Sequence, residues 1–166
     1  MIKQKSKSKK FELSKEYSTE DLAGMLKKVE DYPYMHLELN DLDNEEWEDY
    51  NLENILSMYN KNHYIGKRYH NIEKLQVSSK GRVKIILKGN NEPRILLQTD
   101  DLEGGYLRLP EFPGFGNVYR LVAEVWLEHS KERNIVHHIN NDGYDNSVNN
   151  LIWVTAEEHN EIHTNT

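Results

Sequence analysis

Four histidines stand near the end of the chain: His137, His138, His159 and His163. His159 and His163 are four residues apart in a stretch that reads as helix. They share one face about 6 Å apart, a spacing at which two imidazoles can chelate one metal ion. His137 and His138 are adjacent in a β-branched stretch, and neighbours on a strand point to opposite sides. With the helix packed across the strand, one of that pair can join the metal and the other cannot easily do so. The second then stays free as a base. Imidazole titrates near neutrality and can take a proton from water, and a nearby cation holds it neutral. Lewis acid and base, the two needs of a hydrolase, fall to different residues. The other four histidines, His36, His63, His70 and His129, read as structural or exposed.

The elements around these side chains follow from local pattern. Residues 136–139 form a short strand. Residues 140–150, rich in Asn, Asp and Gly, form a long turn, because these residue types favour turns and tolerate left-handed backbone. Asp142, Asp145 and Asn146 read as turn residues rather than ligands. Residues 151–154 form a second strand. Thr155 with Glu158 three residues later is a capping-box pattern, so a helix begins near Ala156. Upstream, residues 119–128 are helical, with Leu121, Val122, Val125 and Trp126 on or near one face. Pro110, Pro113, Gly114 and Gly116 mark the loop before it. Four strands precede that loop: 75–78, 81–87 around a Ser-Lys-Gly turn, 94–98, and 106–109 after Gly104-Gly105. Residues 41–53 are dense in acid but carry Trp47, Tyr50 and Leu52; with Ile55, Leu56 and Met58 they read as an amphipathic helix. An earlier helix starts at Ser18, with Leu22, Met25, Leu26 and Val29 at helical spacing, and Pro33 ends it. The first ten residues, charged and nearly free of apolar groups, are expected to be disordered.

The ordered histidines and Asn150 resemble the HNH endonuclease family, which is built on the ββα-metal fold. The match covers residues 119–163. Tyr119-Arg120-Leu121-Val122-Ala123-Glu124 resembles the H-R-L-V-A-E helix of phage and homing HNH nucleases, with Tyr at the first position. Asn149-Asn150-Leu151-Ile152-Trp153-Val154-Thr155 resembles their N-N-L-x-W-V-T stretch. Upstream, Val77-Ser78 with Gly81-Arg82-Val83 resembles the V-S-x-x-G-R-V module that often precedes such nucleases, and the Gly105-Tyr106-Leu107 turn fits it too. Both parts together run over residues 66–163. The resemblance implies that His138 is the general base. It implies that Asn150 braces the turn and orients His138 through a backbone hydrogen bond. His137 and His159 would bind one divalent metal, with His163 a further ligand as in bacteriocin nucleases. Imidazole ligands suit Zn, Ni or Mn, and active HNH enzymes often use Mg. The implied activity is hydrolysis of DNA phosphodiester bonds, as nicking or double-strand cleavage.

Composition sets the outer limits. The absence of cysteine excludes disulfides and thiolate metal sites. The longest aliphatic runs are three residues, so no membrane span and no membrane partner is expected. The basic start has no apolar stretch after it and does not read as a secretory signal, so a cytoplasmic location in a bacterial or phage-infected cell is expected. The net charge of −7 hides segregation. Residues 1–10 carry +5, residues 11–60 carry −11, residues 61–110 carry +5 and residues 111–166 carry −6. The basic third segment marks a DNA face. Lys67, Arg68, Lys80, Arg82, Lys84, Lys88 and Arg94, with Arg120 on the later helix, are the candidate phosphate contacts. The expected protein is α+β: a basic tail (1–10), an acidic helical segment (11–62), a small β-rich DNA-contacting module (63–112) and a C-terminal ββα-metal nuclease domain (113–166). A competing expectation is an HNH-fold binding protein, weak or inactive as an enzyme. Its acidic residues 11–60 would contact a protein partner or mimic DNA.

Overall fold

The computed structural model describes residues 31–59, 63–101 and 104–164. The basic tail and the helix expected after Ser18 lie outside them. The fold is α+β. Its larger sheet has four antiparallel strands in chain order: β1 (Trp47–Asp49), β2 (Ile72–Ser78), β3 (Val83–Leu87) and β4 (Asn90–Ile95). Helices α1 (Glu53–Tyr59) and α2 (His63–His70) lie between β1 and β2. A two-stranded ribbon follows, β5 (Thr99–Asp100) with β6 (Leu107–Arg108), and then α3 (Val118–Trp126). The chain ends in a hairpin, β7 (Ile135–His138) with β8 (Leu151–Val154), and helix α4 (Ala156–Thr164).

β1 corrects the sequence reading. Trp47, Glu48 and Asp49 pair with Ser78, Val77 and Gln76, so the acidic stretch is a strand where a helix was expected, and helix begins only at Glu53. The acids lie along a sheet edge, where charge is tolerated and hinders edge-to-edge pairing. The border expected at residue 62 therefore cuts a sheet, since β1 belongs with β2–β4. The third strand also starts earlier than expected, at Asn90, and carries Pro93 on the outer edge of the sheet, where no ladder donor is needed.

One hydrophobic core joins the two halves. Leu75, Val77, Val83 and Ile85 from the sheet meet Leu121, Val122 and Trp126 from α3 and Leu151 and Trp153 from β8. Burying each such side chain contributes about 1.5–3 kcal/mol before entropy is counted. A second, smaller cluster of Ile152, Val154 and Ile162 seats α4, with Ile135 and Ile139 packed against it. β8 is buried throughout its length because its two faces meet different partners. Odd positions face the α3 side and even positions the α4 side, as a period of two requires. The hairpin is thus sandwiched between two helices.

Candidate metal centre and active site

The same alternation sorts the histidines. On β7, Ile135 packs in the α4 cluster and Val136 in the main core. His137 therefore turns toward α4 and His138 toward α3. α4 begins as the capping box requires: Thr155 N–H donates to Glu158 Oε1 at 3.0 Å, and Glu158 N–H to Thr155 Oγ1 at 3.1 Å. Ile162 anchors the helix, and His159 and His163 emerge on the face toward β7.

His137, His159 and His163 each offer a ring nitrogen within 4.8 Å of the others. The Nε2 atoms of His159 and His163 are 3.0 Å apart. The His137 ring centre lies 6.2 Å from that of His159 and 6.1 Å from that of His163. A divalent ion with nitrogen ligands at about 2.0–2.1 Å needs donors a little over 3 Å apart, so the donor set fits such an ion. Its electrostatics fit as well. Burial, then the neighbouring rings of His159, His163 and His138, push the His137 imidazole down to about 4. Burial and His163 also lower His159. Near neutral pH both are held in the uncharged form that a metal needs.

His138 has different surroundings. It is 6% exposed, and its Nε2 lies 2.7 Å from Asn146 Oδ1. Tyr119 meets the ring edge-on at 5.1 Å, and Tyr106 lies tilted at 5.8 Å. Burial lowers its pKa, and the Asn146 hydrogen bond opposes that in part. Asn150 braces the turn. Its Nδ2 donates to Asn140 Oδ1 and to the Asp145 carbonyl, both at 2.8 Å, while its Oδ1 accepts from Asn140 N–H at 3.1 Å. Its carbonyl accepts from Ile139 N–H at 2.8 Å. Its hydrogen bonds thus go to Asn140, Asp145 and Ile139, and the side chain hydrogen-bonded to the His138 ring is Asn146. In the sequence Asn146 reads as a turn residue, and Tyr106 and Tyr119 carry no local mark of a place beside His138. The one available signal was Tyr119 standing where the related helix has His.

All four histidines line one cleft of about 220 Å³, together with Tyr106, Asn141 and the Gly104-Gly105 turn. Gly143 closes the rim. A Cβ there would lie 1.8 Å from the Gly105 carbonyl oxygen, so only glycine fits. The cleft can hold an anionic group between a neutral base on one side and a three-imidazole centre on the other.

The candidate DNA contacts scatter. Lys67 and Arg68 on α2 are exposed and line a separate groove with His70, Asn71 and Glu111. Lys88 is exposed in the β3–β4 turn. Arg94 is exposed but ion-paired with Glu111, and Arg68 donates to the Glu111 carbonyl at 2.9 Å. Lys80 is half-buried, and the Lys84 ammonium rests 3.9 Å over the Trp47 ring. Arg120 is exposed and paired with Glu124. Arg82 is a correction. It is fully buried; its Nε and Nη2 bind Glu45, and its Nη1 and Nη2 donate to the carbonyls of His36, Glu38 and Asn40. With its donors engaged and no exposed surface, it cannot meet a phosphate. Among the histidines read as structural or exposed, His36 pairs with Asp31 and His129 stacks on Trp153 at 4.5 Å.

Two comparisons now bear on these features. A NUMOD4 motif matches residues 45–110, which begins at Glu45 and takes in β1, as the sheet does. An uncharacterized HNH endonuclease of Acanthamoeba polyphaga mimivirus is 38% identical over 93 residues. Together these two likenesses support an HNH family for the chain. The alignment covers 52% of this chain and 22% of the viral relative, so this chain spans about a fifth of that protein. No solved structure matches the chain. No helix among its described residues is long and apolar enough to cross a membrane.

Proposed function

We propose that this chain is a metal-dependent HNH-type endonuclease that hydrolyses DNA phosphodiester bonds, with β7, β8 and α4 as a ββα-metal core. One observation carries the reading: three imidazoles converge beside a fourth that is separately held, all in one cleft. His137, His159 and His163 would hold one divalent ion, drawn from Mg, Mn, Zn and Ni. When bound, such an ion supplies Lewis-acid stabilisation of charge on the phosphate. His138 takes a proton from water. The water oxygen bonds to phosphorus and the bond to one sugar oxygen breaks, leaving a phosphate monoester and, after protonation from solvent, a hydroxyl. Asn150 keeps the turn that presents His138 in shape. Tyr106, 42% exposed at the mouth of the cleft, meets the incoming strand first.

Residues 113–166 form the nuclease unit in this reading, and residues 45–110 form the DNA-contacting module. Lys67, Arg68, Lys80 and Lys88 are its phosphate contacts, with Arg94 and Arg120 contributing after exchange of their carboxylate partners. These contacts supply affinity without sequence choice.

The test is relaxation of supercoiled plasmid in Mg, Mn, Ni and Zn, wild type beside His138→Ala. Nicking that depends on a divalent ion and disappears in the variant supports the enzyme. Absence of cleavage in every metal refutes it and favours the binding-protein alternative.

A further inference from the structure

We infer that Gly81 is a positioning residue for His138, acting through Asn146, so that the module at 45–110 helps build the active site. The inference rests on the nuclease reading above for its consequence and on geometry for its substance. The β2–β3 turn abuts the Asn-rich loop directly. A Cβ on Gly81 would fall 2.9 Å from Asn146 Cβ, 3.1 Å from its carbonyl oxygen and 3.2 Å from its carbonyl carbon. None of these is the far end of a flexible side chain, so any side chain at 81 displaces Asn146 itself. Two residues away, Val148 N–H donates to the Ser79 carbonyl at 2.9 Å, which ties the same loop to the same turn.

The turn has little freedom to yield. Gly81 sits at φ +85°, a left-handed conformation. Its carbonyl accepts from the buried Gln98 Nε2 at 2.8 Å. Ser78 Oγ accepts from Lys80 N–H and Arg82 N–H at 3.1 and 2.9 Å. Next in sequence, Arg82 is clamped by Glu45 and three carbonyls. A turn fixed on these sides serves as a wall against which Asn146 is set.

Asn146 in turn determines which nitrogen of His138 carries the hydrogen. Its Oδ1 only accepts, so at 2.7 Å the His138 Nε2 donates. Nδ1 is left with the lone pair and is the atom able to receive a proton. Asn146 is 4% exposed, which shields that hydrogen bond from competing water. Losing the oxygen of Asn146, or moving it, frees the ring to take the other tautomer, in which Nδ1 carries the hydrogen and is no longer a base.

The test uses the full chain labelled with ¹⁵N at histidine, with ring nitrogen shifts at neutral pH reporting the His138 tautomer. Wild type should show the Nε2–H form. Gly81→Ala should show a mixture, with kcat for plasmid nicking in Mn lowered by about 10–100-fold and KM and Mn affinity unchanged. Gly89→Ala is the control: Gly89 also has a positive φ, +80°, but a Cβ there meets nothing within 4 Å, so tautomer and kcat should stay as in wild type. Asn146→Ala, which spares the turn, should reproduce the mixture even where Gly81→Ala fails to fold. Asn146→Asp, which keeps an acceptor oxygen, should restore the Nε2–H form. A wild-type tautomer in folded Gly81→Ala or in Asn146→Ala overturns the inference. Wild-type protein that never nicks DNA refutes the nuclease reading instead, and the tautomer experiment still decides this one.

Discussion

His137 and His138 are chain neighbours with opposite surroundings, and this difference separates their effects under mutation. His138→Ala should lower nicking by about 10²–10⁴-fold, the range for losing a general base, while Mn binding by calorimetry stays intact. His137→Ala should lose both. The metal-free protein should also respond to acid through His137. Its imidazole falls from 6.5 in the unfolded chain to about 4 in the folded one. The unfolded state therefore binds the extra proton between these values, and stability drops as pH falls through that window. The loss is about 2–3 kcal/mol, read as a lower midpoint in urea at pH 4.5 than at pH 7.5. His137→Asn should flatten that slope, and bound metal should steepen it. The identities and spacing of the four histidines made them legible as a group, and the fold brings all four to one cleft. Asn146 was not legible, because Asn in a turn carries no mark separating one that caps backbone from one that holds a ring.

Among the elements, β8 and α4 were the most readable. Residues 151–154 were expected as a strand and form one, and the Thr155–Glu158 capping box forms as its pattern requires. Both are set by neighbours in sequence. Thr155→Ala should cost about 1 kcal/mol and fray the first turn of α4. Mn affinity should weaken with it, because two of the three imidazoles ride on that helix. β1 went the other way. Glu48 and Asp49 look helical by local acid density, yet the ladder to Val77 and Gln76 outweighs that weak preference. Strand pairing across nearly thirty residues leaves no trace in a short window of sequence.

Across the molecule, the joint between Arg82 and Glu45 ties the acidic segment to the β module. Both side chains are fully buried and 2.5 Å apart at their closest. Burial pushes the Glu45 carboxyl up, but hydrogen bonds from Arg82 and from the Leu42 amide outweigh it and leave it below its ordinary range. The stabilisation is present above the unfolded value of 4.5 and fades as pH falls below it. Glu45→Ala strands a buried guanidinium and should cost about 3–5 kcal/mol, measured by urea unfolding. A truncation lacking residues 1–60 removes Glu45 and β1 together, so it should destabilise the fold. Lys67→Ala and Lys88→Ala, far from this joint, should each weaken DNA binding without regard to sequence and reduce the slope of log affinity against log salt by about 1.

The amphipathic α3, the hairpin, its turn and the capped final helix follow from interactions between residues close in the chain, so their order and their histidines could be read directly. Three features could not: the burial of Arg82, the seat that Gly81 provides for Asn146, and the hold of Asn146 on His138. Arg82 and Glu45 are separated by 37 residues, and Gly81 and Asn146 by 65. Such contacts exist only once the sheet, α3 and the hairpin have closed around one core, because packing rather than local preference brings those atoms within reach.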